Sequence, residues 1–418
     1  MNIWYISKYA TDPIYGYPGR HYSYAKYFVK KGKKVTLISS RSNGKVKIPS
    51  FRFKNQFYYQ SDGVNGVILN GPLVNLGFNF KRIISWIEFE MRLLYWSFFV
   101  TKDKPDVIIV SSLSLLTFLS GKILKRKFKC KLICEVRDIW PLTLIETKKV
   151  KKTNIIIRFL SYIENSGYRF ADGIVGTMAN FKSYIYTINP TYSEKVSYIP
   201  TGFDPDFYVK EIKVLNETGK IFSQIPKNNF IVGYAGNIGL ANCVNEIIEI
   251  AYRMKGQAVS FIIFGDGVLK DQLVKKTFAL KLDNVIFGGY YPKNNIPYIL
   301  ESCDVLINPW LSNVSLYDYG VSPNKWIDYM FSGRPIIVAL DGYKNNIITE
   351  AECGVFVKAG DIEAMINAIN NYRSLDKNEL DRIGNNGKEY LLKYLTYDVL
   401  SDKYITIIDN LFNFQNTK

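Results

Sequence analysis

A chain of 418 residues is too long for one ordinary domain and suits two of about 200 residues each. With 47% hydrophobic and 22% charged residues its composition is globular, which excludes a disordered or fibrous chain. The formal charge of +17 is uneven: residues 1–200 hold 32 basic and 12 acidic side chains, whereas residues 201–418 hold 22 and 25, so only the first half suits a polyanion or an anionic membrane.

The first half alternates continuously apolar, Val- and Ile-rich runs with helical patterns. The runs at 2–6, 34–39, 66–70, 106–111, 131–136, 173–177 and 196–199 read as strands buried on both faces of a parallel sheet. Helical stretches separate them at 21–31, 80–101 and 155–170, the repeated strand–helix pattern of a doubly wound sheet. In the long helix, Phe80, Ile83, Ile84, Ile87, Met91 and Leu94 form an apolar face opposite Lys81, Ser85, Glu88 and Arg92. That face is expected to pack as core, and the aromatic end (Tyr95, Trp96, Phe98, Phe99) either joins it or touches a membrane interface. Basic runs at 122–131 and 148–152 point to docking on anionic lipid. At the end of the 131–136 strand, Glu135, Arg137 and Asp138 either face a ligand cleft or close the strand with an Arg137–Asp138 ion pair.

Residues 200–228 are polar and irregular and read as an interdomain linker. Strands resume at 230–235, 259–264, 284–287, 304–308, 335–340 and 354–357, and a helix at 397–411 closes the pattern. Two Rossmann-like halves with a cleft between them are the simplest architecture. The boundaries fall at 1–205 and 206–395, with the 396–418 helix packing back on the first domain. Gly236-Asn237-Ile238-Gly239 ends a strand in a glycine turn, which either lets backbone approach a phosphate or is only a tight strand–helix turn. Gly265-Asp266-Gly267 repeats the form, and Asp266 is either a ligand group or a helix N-cap.

The most informative segment is Ser322-Pro323-Asn324-Lys325-Trp326-Ile327-Asp328-Tyr329-Met330. Ser322 suits an N-cap and Pro323 the first helical position, so a helix is expected over 324–331. Its start points to the carboxyl end of the 304–308 strand, where ligands bind in an open parallel sheet. Lys325 at a helix N-terminus opposes the dipole, and a diphosphate there removes the conflict. Asp328, three residues on, either accepts from ribose hydroxyls or forms a surface ion pair with Lys325.

These segments, with 17–21 (Tyr-Pro-Gly-Arg-His), 135–141 (Glu-Val-Arg-Asp-Ile-Trp-Pro), 199–204 (Ile-Pro-Thr-Gly-Phe-Asp) and 304–309 (Asp-Val-Leu-Ile-Asn-Pro), occur in an order and at spacings that resemble glycosyltransferase family 4. These are retaining enzymes of the GT-B fold, and the likeness is to those that build bacterial O-antigen and capsular polysaccharide. The resemblance implies an α/β chain of two Rossmann-like doubly wound parallel-sheet domains facing across a cleft. It implies transfer of a sugar from a nucleotide-sugar, UDP-sugar being commonest, to a polyprenyl-diphosphate-linked saccharide at the inner face of the cytoplasmic membrane. The nucleotide-sugar is a co-substrate, with neither metal nor bound cofactor.

The resemblance also distributes roles. Gly19 and Arg20 match the family's glycine loop, which reaches donor phosphates. Gly236, Asn237, Gly239, Gly265, Asp266, Gly267, Ser322, Pro323, Asn324, Lys325 and Asp328 line the donor site. Asp138 and Arg137 position the acceptor, and Lys325 meets the leaving diphosphate. Two departures stand out: Asp328 replaces the usual Glu, and Gly320 replaces the family's first acid, leaving the backbone of 320–322 to face the donor sugar.

Composition narrows the chemistry further. One histidine, His21, leaves no multi-histidine metal site. It also argues against the alternative of a nucleotide-sugar epimerase on the same fold. The cysteines Cys130, Cys134, Cys243, Cys303 and Cys353 are odd in number, sit mostly in apolar stretches, and read as reduced core thiols of a cytoplasmic protein. Asp204-Pro205-Asp206 mimics a metal-binding pair of acids but lies in the linker. No secretory leader or membrane-spanning helix is expected. The third reading, a basic nucleic-acid-binding protein, lacks any recognisable module.

Overall fold

The computed structural model describes residues 1–14, 17–42, 55–71, 80–112, 114–343 and 346–413. The last five residues of the 396–418 segment lie outside them. The chain divides into unit 1, residues 1–202 with 397–418, and unit 2, residues 203–396.

Unit 1 is built from β1 (Asn2–Ile6), α1 (Arg20–Lys30), β2 (Lys34–Ser40), β3 (Gln56–Ser61), β4 (Val64–Leu69), α2 (Phe80–Tyr95), β5 (Val107–Ser111), α3 (Leu116–Phe128), β6 (Lys131–Val136), α4 (Leu142–Lys148), α5 (Ile155–Phe170), β7 (Gly173–Gly176), α6 (Phe181–Ile188), α7 (Pro190–Ser193) and β8 (Val196–Tyr198). Its eight-stranded sheet has the order β3-β4-β2-β1-β5-β6-β7-β8. All pairs are parallel except β3–β4. Ile3, Trp4, Tyr5 and Ile6 of β1 have no exposed surface, because helices cover both faces of a parallel sheet.

Unit 2 comprises α8 (Ile212–Phe222), β9 (Phe230–Ala235), α9 (Val244–Arg253), β10 (Val259–Phe264), α10 (Lys270–Ala279), β11 (Val285–Gly289), α11 (Ile296–Leu300), β12 (Val305–Pro309), α12 (Asn324–Phe331), β13 (Ile336–Ala339), α13 (Ile347–Glu350), β14 (Gly354–Val357), α14 (Ile362–Arg373) and α15 (Lys377–Tyr394). Its sheet, all parallel, has the order β11-β10-β9-β12-β13-β14. The order reverses direction at β9 and β12, the place where an open sheet leaves a crevice at its carboxyl edge.

The last helix, α16 (Tyr397–Asn413), belongs to unit 1. Tyr404 of α16 is buried and packs edge-on against Tyr24 and Phe28 of α1, with ring centroids 5.3 and 5.5 Å away. Lys31 clamps the same contact through Asp398 at 2.9 Å and Asp402 at 2.8 Å.

Three elements differ from the sequence expectation. Strand β3 was not foreseen, because its Gln-Phe-Tyr-Tyr-Gln-Ser run is half exposed at the sheet edge and lacks the continuous apolar pattern. It is joined to β4 through Asp62 and Gly63, both at positive φ, the backbone of a two-residue hairpin turn. Residues 200–228 are not simply a linker: α8 lies within them and buries Val214 and Thr218, one turn apart. The long helix is turned by about half a revolution from the face read in the sequence. Trp86, Phe89, Leu93 and Trp96 point inward, whereas Ile84, Ile87 and Met91 are exposed. The larger aromatic surfaces win, and their indole N–H groups find partners: Trp86 donates to Tyr9 Oη at 2.6 Å and Trp96 to Tyr58 Oη at 2.9 Å. The helix ends in a π turn, Trp96–Val100.

Glu164 of α5 is buried and accepts from Tyr184 Oη at 2.9 Å and Tyr168 Oη at 3.2 Å, with burial pushing its carboxyl up to about 8. A carboxyl raised in the folded state binds a proton that the unfolded chain releases near 4.5. Stability is therefore greatest below that value and falls as pH rises towards about 8. Glu164→Gln should remove that fall and, at alkaline pH, stabilise the chain by an amount on the order of 3 kcal/mol, read from urea unfolding across pH.

Candidate functional site

The strands of unit 2 end in turns whose backbone is exceptionally close. Gly236 N–H donates to Phe264 C=O at 3.0 Å, Ile238 N–H to Asp266 C=O at 2.9 Å, and Leu269 N–H to Ile238 C=O at 3.1 Å. The turns at 236–239 and 265–267 are thus laced together. Gly265 has φ of +135°, and a Cβ there would lie 1.9 Å from the Gly236 carbonyl oxygen. A Cβ at Gly267 would lie 2.4 Å from Ile238 O. Glycine is required at both positions by the contact between turns, whatever else binds there.

Asn237 and Asp266 are exposed on the outer side of these turns. Asp266 accepts from Gly267 N–H at 2.9 Å and lies 3.8 Å from Lys270 Nζ. Of the two alternatives for Asp266 the N-cap does not hold, because α10 begins at Lys270 and Leu269 is its N-cap. Gly239 precedes a short 3-10 turn, Leu240–Asn242.

Helix α12 brings Lys325 to this place. Its N-cap is Pro323, without a side-chain cap; Ser322 lies one residue earlier than the cap read for it. Two buried side chains fix the helix. Tyr329 Oη accepts from Ala235 N–H at 2.9 Å and donates to Ala235 C=O at 3.1 Å, so it grips the last residue of β9. Trp326 donates to Asn308 Oδ1 at 2.8 Å, at the end of β12. Before the helix, Gly320 has φ of +91°, which disfavours any side chain there, including the family's acid.

Lys325 does not pair with Asp328. Its ammonium donates to Asn242 Oδ1 at 2.6 Å, reaches Tyr234 Oη at 3.5 Å, and lies 5.0 Å from the centroid of the Tyr234 ring. Its Cε is 3.6 Å from where a Gly236 Cβ would stand. Lys325 makes no ion pair among the described residues, and lost hydration pushes it down to about 8. Among the described residues the partners of this half-buried cation are neutral. Asp328 points elsewhere: it is buried, accepts from Tyr208 Oη at 2.6 Å and lies 3.6 Å from Lys293 Nζ. Burial raises its carboxyl and Lys293 opposes the rise. Asn324 is exposed beside Lys325.

Tyr234, Asn242, Tyr208 and Lys293 were not read from the sequence. Only Tyr234, abutting the glycine turn, had a local signal.

In unit 1 the corresponding strand ends hold a different arrangement. Arg20, the first residue of α1, is buried, not a free phosphate fork. Its Nε donates to Glu135 Oε1 at 3.1 Å, and its two amino groups to Pro200 O at 2.5 Å and Ile199 O at 3.1 Å. Glu135 also accepts from Tyr5 Oη at 2.7 Å; the neighbouring Arg20 guanidinium, against burial, holds its carboxyl below the usual range. His21 bonds Ser111 Oγ at 2.9 Å, and burial pushes it down to about 3, so it is neutral. Gly19 caps α1, where a Cβ would lie 2.5 Å from Thr11 Oγ1. Arg137 is half-buried, its N–H bonded to Ser112 Oγ at 3.0 Å, and Asp138 is exposed. Asp204 accepts from Asp206 N–H at 3.2 Å and caps a 3-10 turn.

Residues 217–390 match the family model described as glycosyl transferases group 1. The probable glycosyltransferase WbjE of Pseudomonas aeruginosa is 23% identical over 289 residues, 66% of this chain and 68% of that protein. Among solved structures, sucrose-phosphate synthase from Thermosynechococcus elongatus superposes with a TM-score of 0.73 at 15% identity, covering 99% of each chain. HepE of Anabaena in complex with UDP gives 0.67 at 14%, covering 98% of this chain and all of that one. The fold is that of the GT-B glycosyltransferases. Within it, unit 2 carries the group 1 glycosyl transferase match.

The turn-to-turn contact predicts a contrast between two glycines of positive φ. Gly256, φ +80°, has open space where a Cβ would go, whereas Gly265 does not. Gly256→Ala should cost about 1 kcal/mol from backbone strain alone, and Gly265→Ala on the order of 4 kcal/mol, compared by urea midpoints at constant m.

Proposed function

We propose that this chain is a retaining glycosyltransferase of the family 4 type. It transfers a sugar from a nucleotide-sugar, with a UDP-sugar as the first candidate, to a lipid-linked saccharide in bacterial surface-polysaccharide synthesis. The observation that carries the reading is Lys325: a half-buried ammonium with only neutral partners, beside two interlocked glycine turns at the carboxyl edge of a parallel sheet. An anion is the missing partner for such a cation, and a diphosphate matches both its charge and the uncapped start of α12. That HepE was solved with UDP on the same fold supports a nucleotide donor.

In a retaining front-face transfer the departing phosphate oxygen takes the acceptor's proton, so no separate general base is needed. Lys325 and the N-terminal backbone of α12 stabilise the negative charge that grows on the diphosphate as the sugar leaves. The turns at 236–239 and 265–267, held together by the glycines at 265 and 267, bring the donor's phosphates beside Lys325. Asp328 anchors α12 through Tyr208 and Lys293, and its second oxygen is the group assigned to ribose. Unit 1 takes the acceptor, with Arg137 and Asp138 as positioning groups. A polyprenyl diphosphate suits its net positive charge, and places the enzyme at the inner face of the cytoplasmic membrane. Nothing in the reading requires a metal.

Lys325→Ala should lower kcat/KM by about 100- to 1,000-fold with the fold intact by circular dichroism and an unfolding midpoint no lower than that of the wild type, measured as acceptor-dependent UDP release; wild-type turnover would remove Lys325 from the site. Because Lys325 must be protonated to hold a diphosphate, UDP affinity should be constant in mildly acidic buffer and weaken as pH rises through about 8. Isothermal titration should show that break in the wild type and not in Lys325→Arg, whose guanidinium keeps its charge throughout.

A further inference from the structure

Helix α5 has two apolar faces but only one side to pack. Ile157, Leu160, Ile163 and Gly167 face inward and are buried. On the other side Ile155, Ile156, Phe159 and Tyr162 are 81%, 54%, 53% and 65% exposed. Single exposed apolar residues are ordinary, but four large ones along the first two turns of one helix form a patch. The chain around them is strongly cationic. Residues 147–163 contain Lys148, Lys149, Lys151, Lys152 and Arg158 and no acid at all. All five cations are exposed, and none forms an ion pair among the described residues. Asn154 caps the helix by accepting from Ile156 N–H at 2.9 Å, so the patch is held on a formed helix, not on a loose end.

We infer that the first half of α5 is a membrane-docking wedge, with Ile155, Ile156, Phe159 and Tyr162 entering the headgroup layer of an anionic bilayer while Lys151, Lys152 and Arg158 meet lipid phosphates. The inference rests on the membrane-side reading above and names the surface that performs it. Charge selects the occupant. A second copy of this chain seated on the same face would set five cations against five cations, whereas an anionic lipid surface neutralises them. The exposed stripe of α2 has no such margin: Arg92 there is already paired with Glu88 at 2.8 Å. An amphipathic helix lying in the interface with its apolar face buried roughly 5–10 Å deep is the arrangement that α5 fits.

The test is co-sedimentation of the full chain with vesicles of phosphatidylcholine, with and without phosphatidylglycerol. Binding is expected only to the anionic vesicles. Ile156→Ser with Phe159→Ser should lower the partition coefficient about 10- to 100-fold, and Lys151→Gln, Lys152→Gln and Arg158→Gln together about 100-fold. Ile87→Ser with Met91→Ser on α2 should leave it unchanged. The five native cysteines are all buried, so Tyr162→Cys accepts an environment-sensitive dye selectively. Its emission should shift to the blue on anionic vesicles. Unaltered partition in both α5 variants, or no shift at position 162, overturns the inference. So does a dimer in light scattering that the serine variant dissociates, because the face is then an interface between copies. Transfer to a soluble acceptor separates the two readings. The α5 variants should retain it, whereas Lys325→Ala should lose it and still bind vesicles.

Discussion

A half-buried cation with no counter-charge among the described residues is the constraint around which unit 2 is arranged. Lys325 is held by an amide oxygen, a phenol and an aromatic face, none of which neutralises it. Such a site costs stability unless an anion completes it. The surrounding devices keep it in place: Tyr329 ties α12 to the end of β9, Trp326 ties it to the end of β12, and the first glycine turn lies against the lysine stem. The side chains that hold the helix are buried and make their hydrogen bonds within unit 2. The group left without a charged partner is the one that a ligand would meet, which is the ordinary signature of a preorganised binding site.

Unit 1 solves a similar electrostatic problem in the opposite way. Glu135 and Arg20 are both buried, but each is met by the other and by further donors or carbonyls. A buried pair so completed holds β6, α1 and the 199–200 segment in one register, and removing either partner leaves an uncompensated charge. His21, beside the pair, stays neutral because Arg137 and Arg20 add their repulsion to its loss of water. The same strand-end location therefore yields a closed structural network in one unit and an open cation in the other.

Much of the fold could be read from residue patterns. Strands such as β1, β6 and β10 are buried on both faces, and their unbroken apolar runs said so. Helix α12 was legible from Ser322-Pro323 at its start, and Lys325 from its unfavourable place near a helix N-terminus. What escaped depended on partners distant in the chain. Arg20 looked like a free phosphate fork because Glu135 lies 115 residues away. Lys325 and Asp328 looked like a pair because Asn242 and Tyr208 are 83 and 120 residues away from them. The orientation of α2 turned on hydrogen-bond partners for two indoles, which periodicity does not report. Strand β3 was lost because an edge strand with one wet face has no continuous apolar run.

The return of α16 to unit 1 bears on how the chain comes into being. Tyr404, the ring that covers Tyr24 and Phe28, is made only after the whole of unit 2. Throughout translation the aromatic socket on α1 stays open on the ribosome, while unit 2 already has every strand it needs. Unit 1 is therefore completed only after unit 2 has been made, and a chain that stops before residue 397 leaves the rings on α1 bare.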